Sequence, residues 1–412
     1  MQNTILFSNF APHIFSKETL EAFYRTHQYL VEHVSSPVKR LLMNEIDWSH
    51  RLIGIKGSRG VGKTTFLLQY AKEYFGAADQ SCLYINFNNF YFTTHTLVEF
   101  AEQFYARGGR TLLIDQTFKY ENWSKELREC YDRFPELRIV FTGSTVMRLI
   151  DGNEDLKDVV ASYNLRGFSF REFVFLQTEK AFPVYPLEEI IGNHEQIATE
   201  ICAQIRPFSY FQDYLHHGYY PFFLEQRNFS ENLLKTMNMM LEVDILLIRQ
   251  IELKYLSKIR KLLYLLMTNA PDTLNVSRLS KEIETSRATI MNYIKYLQDA
   301  RLLNLLYSED EIFPKKPNKI YVHNTNLMHA ISPGEVNRIA ERKTFLYNTL
   351  HAKHKVNVGS HHTDFCIDQY YHFKCAPKPQ NAKQNQKMIY AVDDINIGKK
   401  NEVPLWLFGF LY

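Results

Sequence analysis

The chain has 412 residues and a formal net charge of +3, and 45% of its residues are hydrophobic and 14% aromatic. The length predicts roughly two to four domains, the composition excludes a chain that is disordered throughout, and a charge so near neutral does not by itself indicate a nucleic-acid partner. The five cysteines are odd in number and show no C-x-x-C spacing, which favours reduced thiols over disulfides or a zinc site.

The sequence lacks the pattern of a membrane protein. Its first residues have neither the basic region nor the long apolar run of a secretory signal. The most apolar later stretch, residues 239–253, contains four charged residues, which is too many for a helix that spans a bilayer. We therefore expect an intracellular, cytoplasmic protein without a membrane partner.

A complete G-x-x-x-x-G-K-[ST] motif follows a helical lead-in, residues 1–50, in which Pro37 predicts a break between two helices. The motif lies between a buried strand pattern, residues 51–56, and an amphipathic helix pattern, and this context distinguishes a phosphate-binding loop from a chance glycine-rich turn. The motif consists of Gly57, Ser58, Arg59, Gly60, Val61, Gly62, Lys63 and Thr64, and we count Thr65 with it as a nucleotide contact.

The residue types of this motif suit a nucleoside triphosphate. The glycines allow successive backbone N–H groups to point at phosphate oxygens, and the helix N-terminus adds partial positive charge. Lys63 is expected to bridge the β- and γ-phosphates, and the Thr64 hydroxyl is expected to bind Mg²⁺. The loop therefore predicts ATP and Mg²⁺ as ligands.

Strand and helix patterns alternate from residue 51 to residue 166, which predicts a parallel sheet with helices on its faces. An apolar stretch, residues 111–115, ends in Asp115, the pattern of a carboxylate that holds Mg²⁺ beside the phosphate loop. An ordinary strand that ends in Asp is the alternative. A second apolar stretch ends in Thr142 and Ser144, of which one could contact the γ-phosphate or the attacking water. A turn without a ligand is an equal alternative there.

Several sequence runs together resemble one family. They are residues 57–65, 113–120, 122–123, 141–144, 167–173, 217–222, 324–327 and 403–412. They follow in order over nearly the whole chain and are similar to the AAA-superfamily ATPases of bacteria and archaea that carry a conserved C-terminal domain of unknown function. The resemblance implies an AAA+-type ATPase, with Thr142 at its sensor position and Asp115 at its Mg²⁺ site.

The chain departs from these relatives where they promote hydrolysis. They have Glu at the position of Gln116, and Gln can hydrogen-bond a water molecule but cannot take its proton. They also tend to have His at Phe118 and acidic residues near Asn88 and Asn89. We therefore name Asp115, Gln116 and Thr142 as the catalytic positions and expect impaired hydrolysis, unless neighbouring residues compensate.

A second departure concerns positive charge. Relatives carry an arginine-rich run that reads Lys-Asp-Val at residues 157–159 here. An arginine beside the γ-phosphate contributes strongly to hydrolysis. Arg148, Arg166 and Arg171 are the candidates to replace it.

The middle of the chain is predicted to contain two helical units. Residues 167–250 are interpreted as the helical lid of the AAA+-type module. Residues 251–325 have three helix patterns followed by two strand patterns, the order of a winged helix-turn-helix domain. The third helix presents candidate contacts to double-stranded DNA, namely Arg287, Asn292 and Lys295. A winged helix that serves as a protein interface is the alternative.

Residues 326–412 are predicted to form a small α+β domain that resembles restriction endonucleases. Such nucleases need two or three acidic groups and a Lys around Mg²⁺, and Asp364 fits one of them. Relatives have carboxylates where this chain has Lys343 and Lys374, and lysines repel a divalent cation. Nuclease activity is therefore not expected.

The predicted fold class is α/β: a P-loop NTPase domain of the AAA+ type (51–166) with a parallel sheet and a helical lid, followed by a winged helix and a nuclease-like domain. Three functions remain open at this point: an ATPase or ATP switch, an ATP-regulated DNA-binding protein, and a protein-interaction scaffold stabilised by nucleotide. The resemblance also makes a homo-oligomer a candidate assembly, since most AAA+ sites are completed at subunit interfaces.

Overall fold

The structure is a computed structural model that describes residues 17–147, 149, 153–225, 228–247, 249–271, 273–331, 334, 336–360, 362–379 and 388–412. Arg148, one of the three candidate arginines, lies outside the described residues. In the part of the chain that is described, no helix is long and apolar enough to cross a bilayer.

A parallel sheet lies at the centre of the nucleotide-binding half. Its strands are β1 (Leu52–Gly57), β2 (Cys82–Asn86), β3 (Thr111–Asp115), β4 (Arg138–Ser144) and β5 (Ala161–Asn164). They pair in the order β2-β3-β4-β1-β5, and every neighbouring pair is parallel. The carboxyl ends of β1, β3 and β4 therefore meet at one edge of the sheet, the edge at which α/β proteins bind ligands. The predicted parallel α/β sheet is confirmed.

Helices cover both faces of this sheet. They are α1 (Lys17–His33), α2 (Leu42–Glu45), α3 (Lys63–Tyr74), α4 (Leu97–Ala106) and α5 (Trp123–Arg133), with short 3₁₀ turns at Phe90–Thr93 and Thr117–Lys119. Successive residues of β1 enter different cores, because side chains alternate along a strand: Leu52 packs with α4 and α5, and Ile53 packs with α3. A capping box between Thr96 and Glu99 defines the start of α4.

The segment interpreted as a lid divides its buried residues between two cores. Its elements are α6 (Phe170–Thr178), α7 (Leu187–Cys202), α8 (Pro207–Asp213), a π-helical turn (Tyr214–Gly218), a 3₁₀ turn (Pro221–Glu225), α9 (Phe229–Met239) and a π-helical segment (Met240–Leu247). Buried residues up to Leu215 pack with the C-terminal domain, whereas buried residues from Tyr219 onward pack with the nucleotide domain and the next helical unit. The half-buried Phe223 is an exception and packs with the C-terminal core. The division falls there because C-terminal aromatic rings pack on α6, as Phe410 does on Phe170 at 5.9 Å between centroids.

Three helices and a hairpin follow, in the element order that the sequence predicted. They are α10 (Leu256–Asn269), α11 (Val276–Glu282), α12 (Arg287–Asp299), β6 (Leu303–Leu306) and β7 (Lys319–Val322), and the two strands are antiparallel. Ile290, Ile294 and Leu297 form the buried side of α12. This arrangement agrees with the winged-helix interpretation, which stays a prediction.

The C-terminal part is a mixed sheet covered by helices. Its elements are α13 (Thr325–Ile331), α14 (Arg338–Leu350), β8 (Val356–Val358), β9 (Phe365–Ile367), β10 (Tyr371–Ala376), β11 (Met388–Val392), β12 (Glu402–Pro404) and a 3₁₀ turn (Leu405–Phe410). The strand order is β12-β11-β10-β9-β8, parallel from β10 to β12 and antiparallel from β8 to β10. Trp406 is fully buried in its core. The sequence predicted a small α+β domain here, and the structure does combine helices with a sheet, although three of the strands are parallel neighbours. Its likeness to nucleases stays a prediction.

A buried cation joins the lead-in to the nucleotide domain. The guanidinium of Arg40 donates to the backbone carbonyls of Val61, Arg166 and Gly167 and to the carboxylate of Glu172 at 3.1 Å. Both charged side chains are buried, so the pair stands in a medium that screens charge poorly. Arg40 thereby connects the phosphate loop to the start of α6.

Removal of Arg40 should destabilise the protein far more than removal of its neighbour. Arg40→Met leaves Glu172 buried without a counter-ion, at a cost of about 3–5 kcal/mol. Lys39→Met is the matched control, because Lys39 pairs with Glu73 at 2.8 Å on the surface and such pairs contribute below about 1 kcal/mol. Urea unfolding measures both changes, and equal destabilisation by the two substitutions would contradict a role for the buried pair.

Candidate functional site

The phosphate loop connects β1 to α3 at the carboxyl edge of the sheet. Gly60 and Gly62 have φ of 85° and 90°, in the left-handed region that favours glycine. Gly62 caps α3, so the unpaired N–H groups of the first helical turn belong to the loop. A side chain at position 60 would also meet the Phe222 ring, because its Cβ would lie 3.0 Å from the ring.

A cavity of about 450 Å³ opens at this loop. Seven of the nine predicted nucleotide contacts line it: Gly57, Arg59, Gly60, Gly62, Lys63, Thr64 and Thr65. The other two loop residues, Ser58 and Val61, are buried and do not line the cavity. Asp115, Gln116 and Thr142 line the same cavity. The structure therefore brings the predicted phosphate loop and the three predicted catalytic positions together.

Lys63 is turned into its own loop. Its Nζ donates hydrogen bonds to the carbonyls of Gly57 at 2.8 Å and Ser58 at 2.9 Å. Desolvation lowers the pKa of Lys63 from 10.5 to about 8, and the negative charges of Asp244 and Asp115 oppose this shift. Phosphate oxygens would add to these acceptors and favour the charged ammonium.

Thr64 and Asp115 provide the oxygen atoms that suit a magnesium ion. Thr64 Oγ1 donates to Asp115 Oδ2 at 2.6 Å, so a hydroxyl and a carboxylate oxygen from different elements already lie side by side. Mg²⁺ is bound by one or two such protein oxygens, with water and phosphate oxygens at its other positions. The residues present therefore fit the ion that the motif implies.

The carboxylate of Asp115 is surrounded by donors. Tyr84 Oη donates to Oδ2 at 3.0 Å, while Thr142 Oγ1 and the backbone N–H of Gln116 donate to Oδ1. Burial strongly raises the pKa of Tyr84, and the charge of Asp115 raises it further, so the phenol remains a donor. The residue predicted as a sensor, Thr142, is thus bound to the residue predicted to hold Mg²⁺.

The Gln116 side chain has a fixed partner. Asn88 Nδ2 donates to Gln116 Oε1 at 2.8 Å. The backbone of Gln116 is left-handed, with φ of 59°, and its N–H bonds to Asp115 and Thr142 hold this unfavourable conformation. Two positions at which the chain departs from the family it resembles are therefore in direct contact.

Arg59 lies at the tip of the loop and pairs with a residue far away in sequence. Its Nη2 is 3.0 Å from Asp244 Oδ1, and its Nε is 3.4 Å from Asp244 Oδ2. Asp244 is buried and lies in the π-helical segment Met240–Leu247, yet it lines the cavity. The second helical half of residues 167–250 is thereby bonded to the phosphate loop.

The two described candidate arginines are engaged elsewhere. Arg166 Nη2 donates to Asn348 at 2.8 Å, and Arg171 Nε donates to the carbonyl of Tyr412 at 3.3 Å. Neither lines the cavity. Among the arginines that the structure describes, Arg40 and Arg59 line it, and each has a carboxylate partner.

The predicted DNA contacts on α12 differ in their surroundings. Arg287 and Asn292 are exposed. Lys295 is half-buried, and its Nζ is 2.9 Å from Asp299 Oδ1. Its charge is therefore partly neutralised within the helix.

The nuclease-like centre contains an ammonium group beside its carboxylate. Lys343 Nζ is 2.5 Å from Asp364 Oδ1, and the Cys375 N–H donates to the other carboxylate oxygen at 2.9 Å. Among the described residues no group of three or more His, Cys, Asp or Glu side chains could hold a metal ion. These contacts favour the ammonium group of Lys343, rather than a divalent metal ion, as the partner of Asp364.

Several site residues were missed by the sequence analysis. The role of Tyr84 and the contact of Asn88 with Gln116 could have been found, because polar residues near the carboxyl ends of parallel strands gather at one edge of a sheet. Arg40 and Asp244 gave no comparable signal. Arg40 pairs with Glu172 and Asp244 pairs with Arg59, and in both pairs the two residues are more than 100 positions apart in sequence. Only the tertiary structure therefore brings Arg40 and Asp244 to the cavity.

Two family models match the chain. Residues 49–174 match a model described as an AAA domain. Residues 209–337 match a model described as a domain of unknown function, which extends from the second part of the 167–250 segment through the three helices and the hairpin.

An uncharacterised protein of Methanocaldococcus jannaschii is 25% identical over 270 residues, which are 62% of this chain and 56% of that protein. The chain thus spans little more than half the length of this curated relative. Among solved structures, AMPPCP-bound DnaA from Aquifex aeolicus is 14% identical with a TM-score of 0.25, over 69% of this chain and 89% of that one. PCH-2 of C. elegans is 14% identical with a TM-score of 0.23, over 69% and 66%. These TM-scores are too low to support an argument.

The sequence motifs, the parallel sheet and the family match agree on the nucleotide domain. The phosphate loop, Asp115 and Thr142 all lie within the matched residues 49–174. The predicted resemblance is therefore confirmed for the nucleotide domain, because residues 49–174 match a model described as an AAA domain, and a domain of unknown function follows at residues 209–337.

Proposed function

We propose that the chain binds Mg-ATP in the cavity at the phosphate loop and hydrolyses it slowly. The observation that supports this proposal is the convergence of Lys63, Thr64 and Asp115 on one cavity, with Thr64 Oγ1 and Asp115 Oδ2 only 2.6 Å apart. Three residues from two separate motifs would not meet in this way in a glycine-rich turn without a ligand.

Each residue has a defined role in the proposal. The Lys63 ammonium donates to phosphate oxygens in addition to the carbonyls of its loop. Thr64 and Asp115 provide oxygens for Mg²⁺, which neutralises charge on the phosphates when it is bound. Tyr84 and Thr142 hold the Asp115 carboxylate in place by donating to its two oxygens.

The slow step follows from Gln116. A Gln amide can orient a water molecule but cannot accept its proton, and loss of a general base typically lowers the rate by roughly 10²–10⁴-fold. The hydrogen bond from Asn88 holds this amide by its oxygen. A bound triphosphate would therefore persist, and the protein would act as a switch more than as a motor.

Replacement of Gln116 by Glu should accelerate hydrolysis. A carboxylate at this position keeps its partner, because Asn88 Nδ2 can donate to it as well. We expect single-turnover hydrolysis of Mg-ATP by Gln116→Glu to exceed that of the wild type by roughly 10²–10⁴-fold. Gln116→Ala is the control and should bind ATP without this gain. Equal rates for the wild type and Gln116→Glu would show that another group positions the water.

Affinity for Mg-ATP should fall as the pH rises above about 8. Below this value Lys63 is charged in the free protein, whose Lys63 pKa is lowered to about 8. Above it the free protein loses the proton that the phosphates require, so the association constant should fall about tenfold per pH unit. Calorimetry from pH 7 to pH 9.5 measures this slope. Lys63→Arg should bind more weakly with little slope, and equal slopes in both proteins would exclude Lys63 as the titrating group.

DNA binding by α12 is the second candidate function, and the exposure of Arg287 and Asn292 on one helix favours it over a scaffold alone. Arg287→Ala should weaken binding of duplex DNA. It should also reduce the slope of log K against log salt concentration by about one, the value for one lost phosphate contact. Lys295→Ala should have a smaller effect, because Asp299 already pairs with Lys295. Lys235→Ala on α9 is a control for lost surface charge. Fluorescence anisotropy across a salt series measures all three, and unchanged binding by Arg287→Ala would exclude this helix as the contact.

A further inference from the structure

We propose that Arg59 and Asp244 form a latch that ATP opens: the phosphates of the triphosphate compete with Asp244 for the Arg59 guanidinium, and Met240–Leu247 separates from the phosphate loop. This inference rests on the proposed binding of ATP. In this latch, binding of nucleotide in the cavity changes the contacts between the phosphate loop and the helical unit that contains α12.

The position of Arg59 carries the first step. Arg59 is the third residue of the phosphate loop and lines the same cavity as Lys63, so a triphosphate held by Lys63 would bring phosphate oxygens near the Arg59 side chain. Its two contacts with Asp244, at 3.0 and 3.4 Å, use the planar fork that also suits a phosphate. Carboxylate and phosphate are therefore alternative partners for the same donor.

Because Asp244 is buried, loss of Arg59 to the phosphates would leave a carboxylate unpaired inside the protein. Only 5% of its side chain is exposed, against 24% for Arg59. A buried carboxylate that loses its counter-ion is strongly destabilised, and a triphosphate in the cavity adds like charge beside it. Movement of the Asp244 carboxylate toward water therefore lowers its free energy, and Met240–Leu247 moves together with Asp244.

A second contact couples the same helical unit to the loop. The Phe222 ring lies against Gly60, where an added Cβ would be 3.0 Å away. Tyr220, two residues earlier, accepts a hydrogen bond from Asn324 Nδ2 at 3.1 Å. The loop is therefore covered by residues that share a hydrophobic core with Met240, Leu241 and Ile245 and are hydrogen-bonded to the residue before α13.

Ion pairs continue from the latch to α12. Arg249 follows Asp244 by five residues, and its Nη2 is 2.6 Å from Asp299 Oδ2 at the end of α12. The other oxygen of Asp299 pairs with Lys295. Movement of Met240–Leu247 would thus be passed through Arg249 to the helix that presents Arg287 and Lys295.

Hydrogen exchange of residues 240–247 tests the latch. In the wild type, Mg²⁺ with a non-hydrolysable ATP analogue should raise exchange there by at least about fivefold, and Mg-ADP should raise it less. Asp244→Asn should show the raised exchange without nucleotide and no further increase on binding. It should also bind Mg-ATP roughly tenfold more tightly, because a repelling charge and a competitor for Arg59 are removed.

Two further variants separate the latch from general loosening. Glu242→Gln lies on the same segment and breaks an exposed pair with Arg260, and it should behave like the wild type. The exchanged pair, Arg59→Glu with Asp244→Arg, restores attraction but offers no guanidinium at the loop tip. It should protect residues 240–247 in the free protein and lose the response to triphosphate.

The outcomes distinguish failure of the latch from failure of the proposed function. Triphosphate binding by the wild type in calorimetry, without a change of exchange at residues 240–247, would overturn the latch and leave ATP binding intact. An equal response in Asp244→Asn would overturn it as well. Absence of nucleotide binding in every variant would refute the proposed function, and the latch with it.

Discussion

The buried guanidinium of Arg40 is the interaction on which the arrangement of this protein depends. It contacts the phosphate loop, the backbone at residues 166 and 167, and Glu172 of the α6 capping box. A single cation can satisfy so many acceptors because a guanidinium has five donors in a fixed plane. The entry to the nucleotide domain, its phosphate loop and its exit toward the C-terminal domain are thereby held at one point.

Both centres that resemble catalytic sites show the same kind of change. At the nucleotide site the amide of Gln116, where the family that the sequence resembles has Glu, is bound by a second amide, that of Asn88. At the nuclease-like site an ammonium, that of Lys343, lies against Asp364. In each case the polar side chain forms an internal bond within its own domain.

The sequence alone determined the nucleotide domain. A strand, a loop with glycines at required positions and a helix form a local unit, because the loop conformation depends on residues that are adjacent in sequence. Asp115 and Thr142 could be assigned to the same edge, since parallel strands bring their carboxyl ends together. The inward side of α12 also followed from the periodicity of its apolar residues.

Only the tertiary structure decided which distant residues complete the site. Asp244 reaches Arg59 from 185 residues away, and Arg40 reaches Glu172 from 132 residues away, and no local pattern marks either pair. The division of residues 167–250 between two cores depends on the C-terminal aromatic residues that pack on α6, a contact between the middle and the end of the chain. Local periodicity and turn chemistry act over a few residues and thus determine elements and motifs. The pairing of buried charges and the boundaries of cores arise only when the elements pack.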